Sequence, residues 1–401
     1  MKRLLIVGMT NSPHLHRWLR MIESPDLSIV VFPSIADLAV SSSDFQKIGL
    51  DRVRKTLPAG IFEVRGRDGR DENSVDEDTK WRYVPVSHHF MALDSLSSPH
   101  RLMQCIEQFQ PDIIHSMETQ MAGYLVLEAL RRKPYKAPWV HSTWGSDIFL
   151  YGRIREHKRR LRETFSQIDI HLADCARDKE LAAAYGYTGP EMPIIPSSGG
   201  IDVDKVAALA TVRPSQRRRI LIKGYHNWAG RNLLALSAVV LAQAELRDYE
   251  ILVLAAEPDM QEWAGIMANR TNLNIRALDR HIHQETVLHD LASSRAVISL
   301  GISDGLATTV LEAMAVGAFP IQSRAGCAAD WFGDGEGGLT VDVNNTRNVA
   351  DAIIKMAKDD ALVDRAAERN LKIIREGWNR IHNGDLVRQI YEKTMETAAA
   401  K

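Results

Sequence analysis

Ser303-Asp304-Gly305-Leu306-Ala307-Thr308-Thr309-Val310-Leu311-Glu312-Ala313-Met314-Ala315-Val316-Gly317 places two acids eight positions apart in an otherwise apolar stretch. At 1.5 Å rise per residue, a helix over this stretch sets the carboxylates of Asp304 and Glu312 roughly 12 Å apart, with Thr308 between them on one i, i+4, i+8 stripe. Val310, Leu311, Met314 and Ala315 line the opposite face, so the helix is expected to be packed, and Glu312 then needs a partner to offset desolvation. A helix start after Gly305 offers unpaired backbone N–H groups and a positive dipole end, which suits a phosphate. A ligand with hydroxyls at both ends and an anion midway fits this pattern. The plainer alternative is Asp304 as an N-cap and Glu312 as half of an ion pair.

The spacing resembles the signature of the family 4 retaining glycosyltransferases: an acid, seven intervening residues, then Glu followed by Ala-Met-Ala-x-Gly. Here Ala313-Met314-Ala315-Val316-Gly317 runs on into Ala318-Phe319-Pro320-Ile321, where the family has a Pro-Val-Ile strand entry. The resemblance implies an α/β chain of the GT-B fold, two Rossmann-like doubly wound parallel-sheet domains facing a cleft. It also implies that Asp304 meets the transferred sugar, that the amides of Gly305, Leu306, Ala307 and Thr308 meet sugar and diphosphate, and that Glu312 holds the ribose diol. The family usually has Glu at the first position, so Asp304 is one methylene short. Retention at the anomeric carbon is likewise implied by the resemblance. So is chemistry with no metal and no cofactor beyond the nucleotide diphosphate sugar as co-substrate.

At 401 residues the chain suits two domains. A net charge of -1 argues against a nucleic-acid partner held by bulk charge. Cys105, Cys175 and Cys327 lie far apart and form no metal or redox spacing, which fits a reducing cytoplasmic compartment. The apolar run within Met1–Gly8 is too short for a signal peptide and reads as a first buried strand. No run approaches the ~20 apolar residues needed to cross a bilayer.

Short apolar runs alternate with amphipathic stretches, the pattern of parallel α/β layers. Strands are expected at 4–7, 27–32, 81–85, 112–115, 138–142 and 170–173, and in a second series at 219–223, 249–255, 273–277, 296–300 and 319–322. The Pro- and Gly-rich segment 189–200 reads as the linker between an acceptor-side domain, 1–200, and a nucleotide-sugar domain, 201–382. A final helix, 383–401, is expected from the resemblance to cross back onto the first domain. The polar stretch 65–80 reads as a surface loop.

Ligands of open α/β sheets gather at strand carboxyl ends. After the first strand, Ser12 reads as an N-cap with Pro13 at the first helical position, and Leu15, Trp18, Leu19 and Ile22 form the buried stripe. That leaves Asn11, His14 and Arg17 either facing an acceptor or forming a solvated first turn. Trp144-Gly145-Ser146-Asp147 looks like the family's His-Gly-Ser-Asp element with Trp144 in the histidine's place, so the histidine role does not pass to His141. Trp144 offers a ring for a sugar face or for packing, and Asp147 an acceptor contact or an N-cap. At the third junction, Arg231 at a helix start is unfavourable beside the positive dipole end unless an anion binds nearby. Arg231 and Lys223 are therefore read as diphosphate contacts, the alternative for Lys223 being a snorkelling strand end. Ile282 falls where relatives shape the nucleobase pocket. The basic run Arg153, Arg155, Lys158, Arg159, Arg160 and Arg162 reads either as a helix's wet face or as a contact for an anionic membrane surface or a phosphorylated acceptor.

The expected function is transfer of a sugar from a nucleotide diphosphate sugar to a hydroxyl acceptor. Two rivals stay open: epimerisation or hydrolysis of the nucleotide sugar, and a non-catalytic subunit binding nucleotide sugar and a partner protein.

Overall fold

Strand β1, Lys2–Gly8, sends its side chains alternately to two buried faces: Leu4 and Ile6 join one apolar cluster, Leu5 and Val7 the other. Burial on both faces is why the run is continuously apolar rather than alternating. The computed structural model describes residues 2–9, 12–34, 53–54, 62–65, 98–279 and 283–400. The strand expected at 81–85 and all of the loop expected at 65–80 except Arg65, which ends a strand, lie outside them, as do Asn11 and Ile282.

Around β1 a first sheet assembles. β1 pairs in parallel with β2, Leu27–Pro33, on one side. An antiparallel edge that sequence patterning did not suggest, β3 (Val53–Arg54) and β4 (Phe62–Arg65), lies beyond β2. On the other side come β5 (Ile113–Met117), β6 (Trp139–Ser142) and β7 (Ile170–Leu172), all parallel. The order is β3-β4-β2-β1-β5-β6-β7. A second sheet, wholly parallel, comprises β8 (Arg219–Lys223), β9 (Glu250–Ala256), β10 (Asn274–Asp279), β11 (Ala296–Ser299), β12 (Phe319–Ser323) and β13 (Leu339–Val341). Its order is β10-β9-β8-β11-β12-β13. Both sheets are doubly wound, and strand order reverses between β1 and β5 in one and between β8 and β11 in the other. The crevices outside the carboxyl ends of those pairs are the places such sheets bind ligands.

The chain divides into two compact units, Met1–Gly200 with Arg380–Lys401, and Ile201–Asn379. In the first, Ser12 caps the helix Pro13–Ile22, accepting from the His14 N–H at 3.3 Å, and Leu15, Trp18, Leu19 and Ile22 are fully buried. The last helix, Arg380–Ala399, returns to this unit through Tyr391. The Tyr391 hydroxyl accepts from Trp18 Nε1 at 3.0 Å and lies 2.7 Å from Nδ1 of His115 on β5. Burial pushes the His115 pKa down to about 3, so the ring is neutral. Its Nδ1 then accepts a hydrogen bond from the tyrosine O–H while Nε2–H donates to Ser142 Oγ at 2.7 Å. Among the described residues no helix is long and apolar enough to cross a membrane.

Candidate functional site

In the second unit, the loops after β8 and β11 carry the expected residues to the reversal point. Gly224 ends β8 because the backbone of β9 leaves no room for more: an added Cβ would sit 2.5 Å from Leu254 O and 2.6 Å from Ala256 Cα. Just before it, Lys223 Nζ lies 3.7 Å from Asp304 Oδ2 and 4.9 Å from the Tyr225 ring centre. Neither charge is deeply buried, so the pair itself contributes little to stability. It does place a cation and an acid side by side at the reversal point. Asn232, buried at the start of the helix Asn232–Leu241, ties the two loops together. Its Nδ2 donates to Tyr225 O (2.9 Å) and Leu300 O (3.2 Å), and its Oδ1 accepts from Leu300 N at 2.8 Å. Arg231 immediately precedes that helix, with its backbone N–H on Leu300 O at 3.0 Å. Its Nη1 donates to Asn227 O at 2.9 Å and Gly230 O at 2.7 Å.

The acidic stretch differs from the expected single helix. The helix is Thr308–Ala315, and Asp304 stands in the loop before it, so the two carboxylates do not share one helical stripe. Gly305 and Leu306 form a bend and Ala307, at the N-cap, is extended and makes no side-chain cap bond. The first intrahelical bonds run from Val310 and Leu311 to Ala307 O, at 2.9 and 3.2 Å. The N–H groups of Thr308 and Thr309 therefore precede the hydrogen-bonded ladder, at the positive end of the dipole. Thr308 Oγ1 is buried and makes no hydrogen bond among the described residues. Val310, Leu311, Met314 and Ala315 are buried as expected, and so is Glu312, at 3 % exposure. Glu312 finds a partner that no sequence pattern indicated: Gln284, opening the helix Gln284–Ala292, donates Nε2–H to Glu312 Oε1 at 3.1 Å.

In the first unit, Trp144 and His14 meet, ring centres 5.2 Å apart and planes tilted by 50°. The indole Nε1 of Trp144 is buried without a hydrogen-bond partner among the described residues. Asp147 is turned inward. Its Oδ1 accepts from the Trp144 N–H at 2.9 Å, and its Oδ2 accepts from Thr119 N at 3.0 Å and Thr119 Oγ1 at 2.8 Å. His141 is fully buried on β6, and burial pushes its pKa down to about 3. The neutral ring completes a one-way chain of hydrogen bonds. Trp139 Nε1–H donates to Ser116 Oγ at 2.7 Å, and Ser116 Oγ–H donates to His141 Nδ1 at 2.8 Å. His141 Nε2–H then donates to Thr119 Oγ1 at 3.0 Å, and Thr119 Oγ1–H to Asp147.

Glu118 was not singled out from sequence, and it sits at the carboxyl end of β5 with φ at 78°, an uncommon backbone for a residue with a side chain. Its carboxylate accepts from the N–H groups of Gln120 (2.7 Å) and Met121 (2.8 Å), capping the short π-turn Thr119–Gly123. Burial first, and then the negative charge of Asp147, push its pKa from 4.5 up to about 8, against the pull of those N–H groups. A folded-state pKa above the unfolded value gives stability that is full below about pH 4.5 and lost as pH rises through about 8. The thermal midpoint of the wild type is therefore expected to fall between about pH 5 and pH 8. Glu118→Gln should start lower, having lost one acceptor, and show a shallower slope in thermal denaturation across that range.

Three residues of the basic run have partners. Arg160 stacks on Tyr124 at 4.1 Å and pairs with Glu128 at 3.6 Å, and Arg159 lies 3.8 Å from Glu163. Arg153 lies over the Phe149 ring at 4.1 Å.

Comparison with known proteins gives two family matches. The model described as "Glycosyl transferase 4-like domain" matches residues 57–197, and "Glycosyl transferases group 1" matches residues 274–373, together more than half of the chain. No curated protein sequence matches. Among solved structures the chain is similar to sucrose-phosphate synthase from Thermosynechococcus elongatus, with a TM-score of 0.70 at 13 % identity over 99 % of this chain and 100 % of that one. It is also similar to Anabaena HepE in complex with UDP and glucose, with a TM-score of 0.68 at 12 % identity over 98 % and 100 %. A third similar structure is alpha,alpha-trehalose 6-phosphate synthase from Burkholderia multivorans, with a TM-score of 0.69 at 13 % identity over 100 % and 99 %. At these identities the likeness establishes the fold, which is GT-B.

Proposed function

We propose that this chain, which belongs to the group 1, family 4-like glycosyltransferases, moves its sugar from a nucleotide diphosphate donor to a hydroxyl acceptor with retention at the anomeric carbon. The observation that carries the reading is the 3.7 Å pairing of Lys223 with Asp304 where strand order reverses, next to a helix start whose leading N–H groups lack helical acceptors. In this reading Asp304 orients the donor sugar and Glu312 holds the ribose diol. Ile282 borders the base. Lys223, Arg231 and the amides of Gly305, Leu306, Ala307 and Thr308 stabilise the charge that develops on the departing diphosphate. The acceptor hydroxyl attacks from the face that the leaving group vacates and gives its proton to a diphosphate oxygen, so no protein nucleophile and no metal are required. On the first unit, Asn11, His14 and the Trp144 ring serve the acceptor, and Asp147 acts behind them by fixing the Trp144 backbone.

The test is a donor screen. Purified protein is incubated with UDP-, GDP- and ADP-sugars, with and without hydroxyl acceptors, and nucleotide release and product configuration are followed. Release that depends on an acceptor, with the donor's anomeric configuration kept in the product, is the expected result. Turnover at the same rate without acceptor points to hydrolysis or epimerisation, and an inverted product removes the mechanism given above.

A further inference from the structure

The loop Tyr225–Gly230, which follows β8, is held at many points. Asn227 Oδ1 accepts from Ala229 N at 3.1 Å and Gly230 N at 2.9 Å. Gly230 forms a bridge with Gly301, and Ile302 N donates to Ala229 O at 2.9 Å, so the loop lies against the segment that leads to Asp304. Only glycine fits at 230, where an added Cβ would meet Tyr225 O at 2.4 Å. Yet this pinned loop holds Trp228 out at 59 % exposure and Tyr225 at 37 %. Leaving an indole in water forfeits the burial that normally stabilises it, and the fixed backbone means that its exposure is not slack. Tyr225 is the ring beside Lys223, whose Nζ is 3.7 Å from Asp304. The Tyr225 ring, a cation and an acid thus share one rim, and Trp228 stands three residues further along the same loop. A sugar ring has a C–H face suited to an indole and hydroxyl edges suited to a carboxylate.

We propose that Trp228 is the apolar wall of the donor-sugar subsite, so that the Tyr225–Gly230 loop helps to decide which sugar is accepted. The inference rests on the reading of Asp304 as the sugar end of the donor site. Nothing in the ribose or base contacts calls on Trp228.

The test is tryptophan emission and acrylamide quenching of the full chain, titrated with UDP-glucose, GDP-mannose and ADP-glucose and with UDP, GDP and ADP alone. Trp228→Phe, Trp228→Ala and, as a control, Trp263→Phe are compared, since Trp263 is also 43 % exposed. A sugar donor is expected to shield a fluorophore in wild type and Trp263→Phe but not in Trp228→Phe, and the nucleoside diphosphate alone to shield none. Trp228→Ala should raise the donor KM about tenfold, with Trp228→Phe recovering most of it and the Kd for nucleoside diphosphate unchanged. Equal shielding by the diphosphate alone, shielding that persists in Trp228→Phe, an unchanged KM in Trp228→Ala, or no shielding of wild type by any donor overturns the proposal. Its failure is separable from that of the donor-site reading. If Glu312→Ala weakens nucleotide binding while Trp228→Ala leaves the donor KM alone, the wall falls and the site stands. If Glu312→Ala binds normally while Trp228→Phe loses the sugar signal, the wall stands and the ribose contact falls.

Discussion

Glu312→Ala is expected to weaken nucleotide-sugar binding by about a hundredfold or more while leaving the thermal midpoint close to that of wild type. A carboxylate that accepts from both hydroxyls of a ribose makes two charge-assisted hydrogen bonds, each worth about 1.5–3 kcal/mol. The expected loss is therefore about 3 kcal/mol or more, and every 1.4 kcal/mol is about tenfold in Kd. Stability behaves differently because in the unliganded protein Glu312 is a carboxylate at 3 % exposure bonded to the neutral amide of Gln284 at 3.1 Å. Removing it relieves a desolvated acid at the cost of its hydrogen bonds, the one from Gln284 among them, and a small cavity, terms of opposite sign. Calorimetric titration with the donor that turns over, alongside thermal denaturation, separates the two. An unchanged Kd means that the ribose lies elsewhere.

Lys223→Ala is expected to lower kcat by about two to three orders of magnitude, with a smaller change in donor KM. The ammonium is held beside Asp304 at 3.7 Å before any ligand arrives, so it requires little reorganisation when charge moves onto the diphosphate. An interaction that strengthens as the bond breaks shows in kcat rather than in ground-state binding. Initial rates under saturating donor read this directly. A drop of less than about tenfold would move Lys223 out of the leaving-group contacts and leave it as a counter-ion for Asp304 alone.

Much of the fold was legible because the second sheet and the central strands of the first are parallel and buried on two faces. The strands β1, β2, β8 and β12 stand out as continuous apolar runs, and their positions agree with the expectation to within a residue or two at each end. The antiparallel edge β3–β4 was not, since an edge pair of two and four residues carries too short a pattern to register. The acidic stretch was read one step too regularly. Ala, Leu and Thr have acceptable helix propensity, and nothing in Gly305-Leu306-Ala307 announces that the helix waits until Thr308. That delay is why Asp304 can turn toward Lys223 rather than along the Glu312 face. Gln284 and Glu118 illustrate a different limit. Gln284 reaches Glu312 across 28 positions of sequence, and the burial of Glu118 is set by strands and turns that sequence spacing does not reveal. Lys223 and Arg231 were visible as cations at strand and helix ends, whereas their actual partners, an acid in one case and backbone carbonyls in the other, are products of the tertiary fold.

The closing helix Arg380–Ala399 bears on how the molecule is made. The second unit, Ile201–Asn379, is contiguous and lies wholly before that helix in sequence. The first unit is begun earlier yet lacks Tyr391, so Trp18 and His115 have no phenol to meet until the chain has passed residue 391. The order of synthesis is thus inverted in maturation, and the nascent first sheet waits, with one flank uncovered, for a helix made after the whole of the second unit.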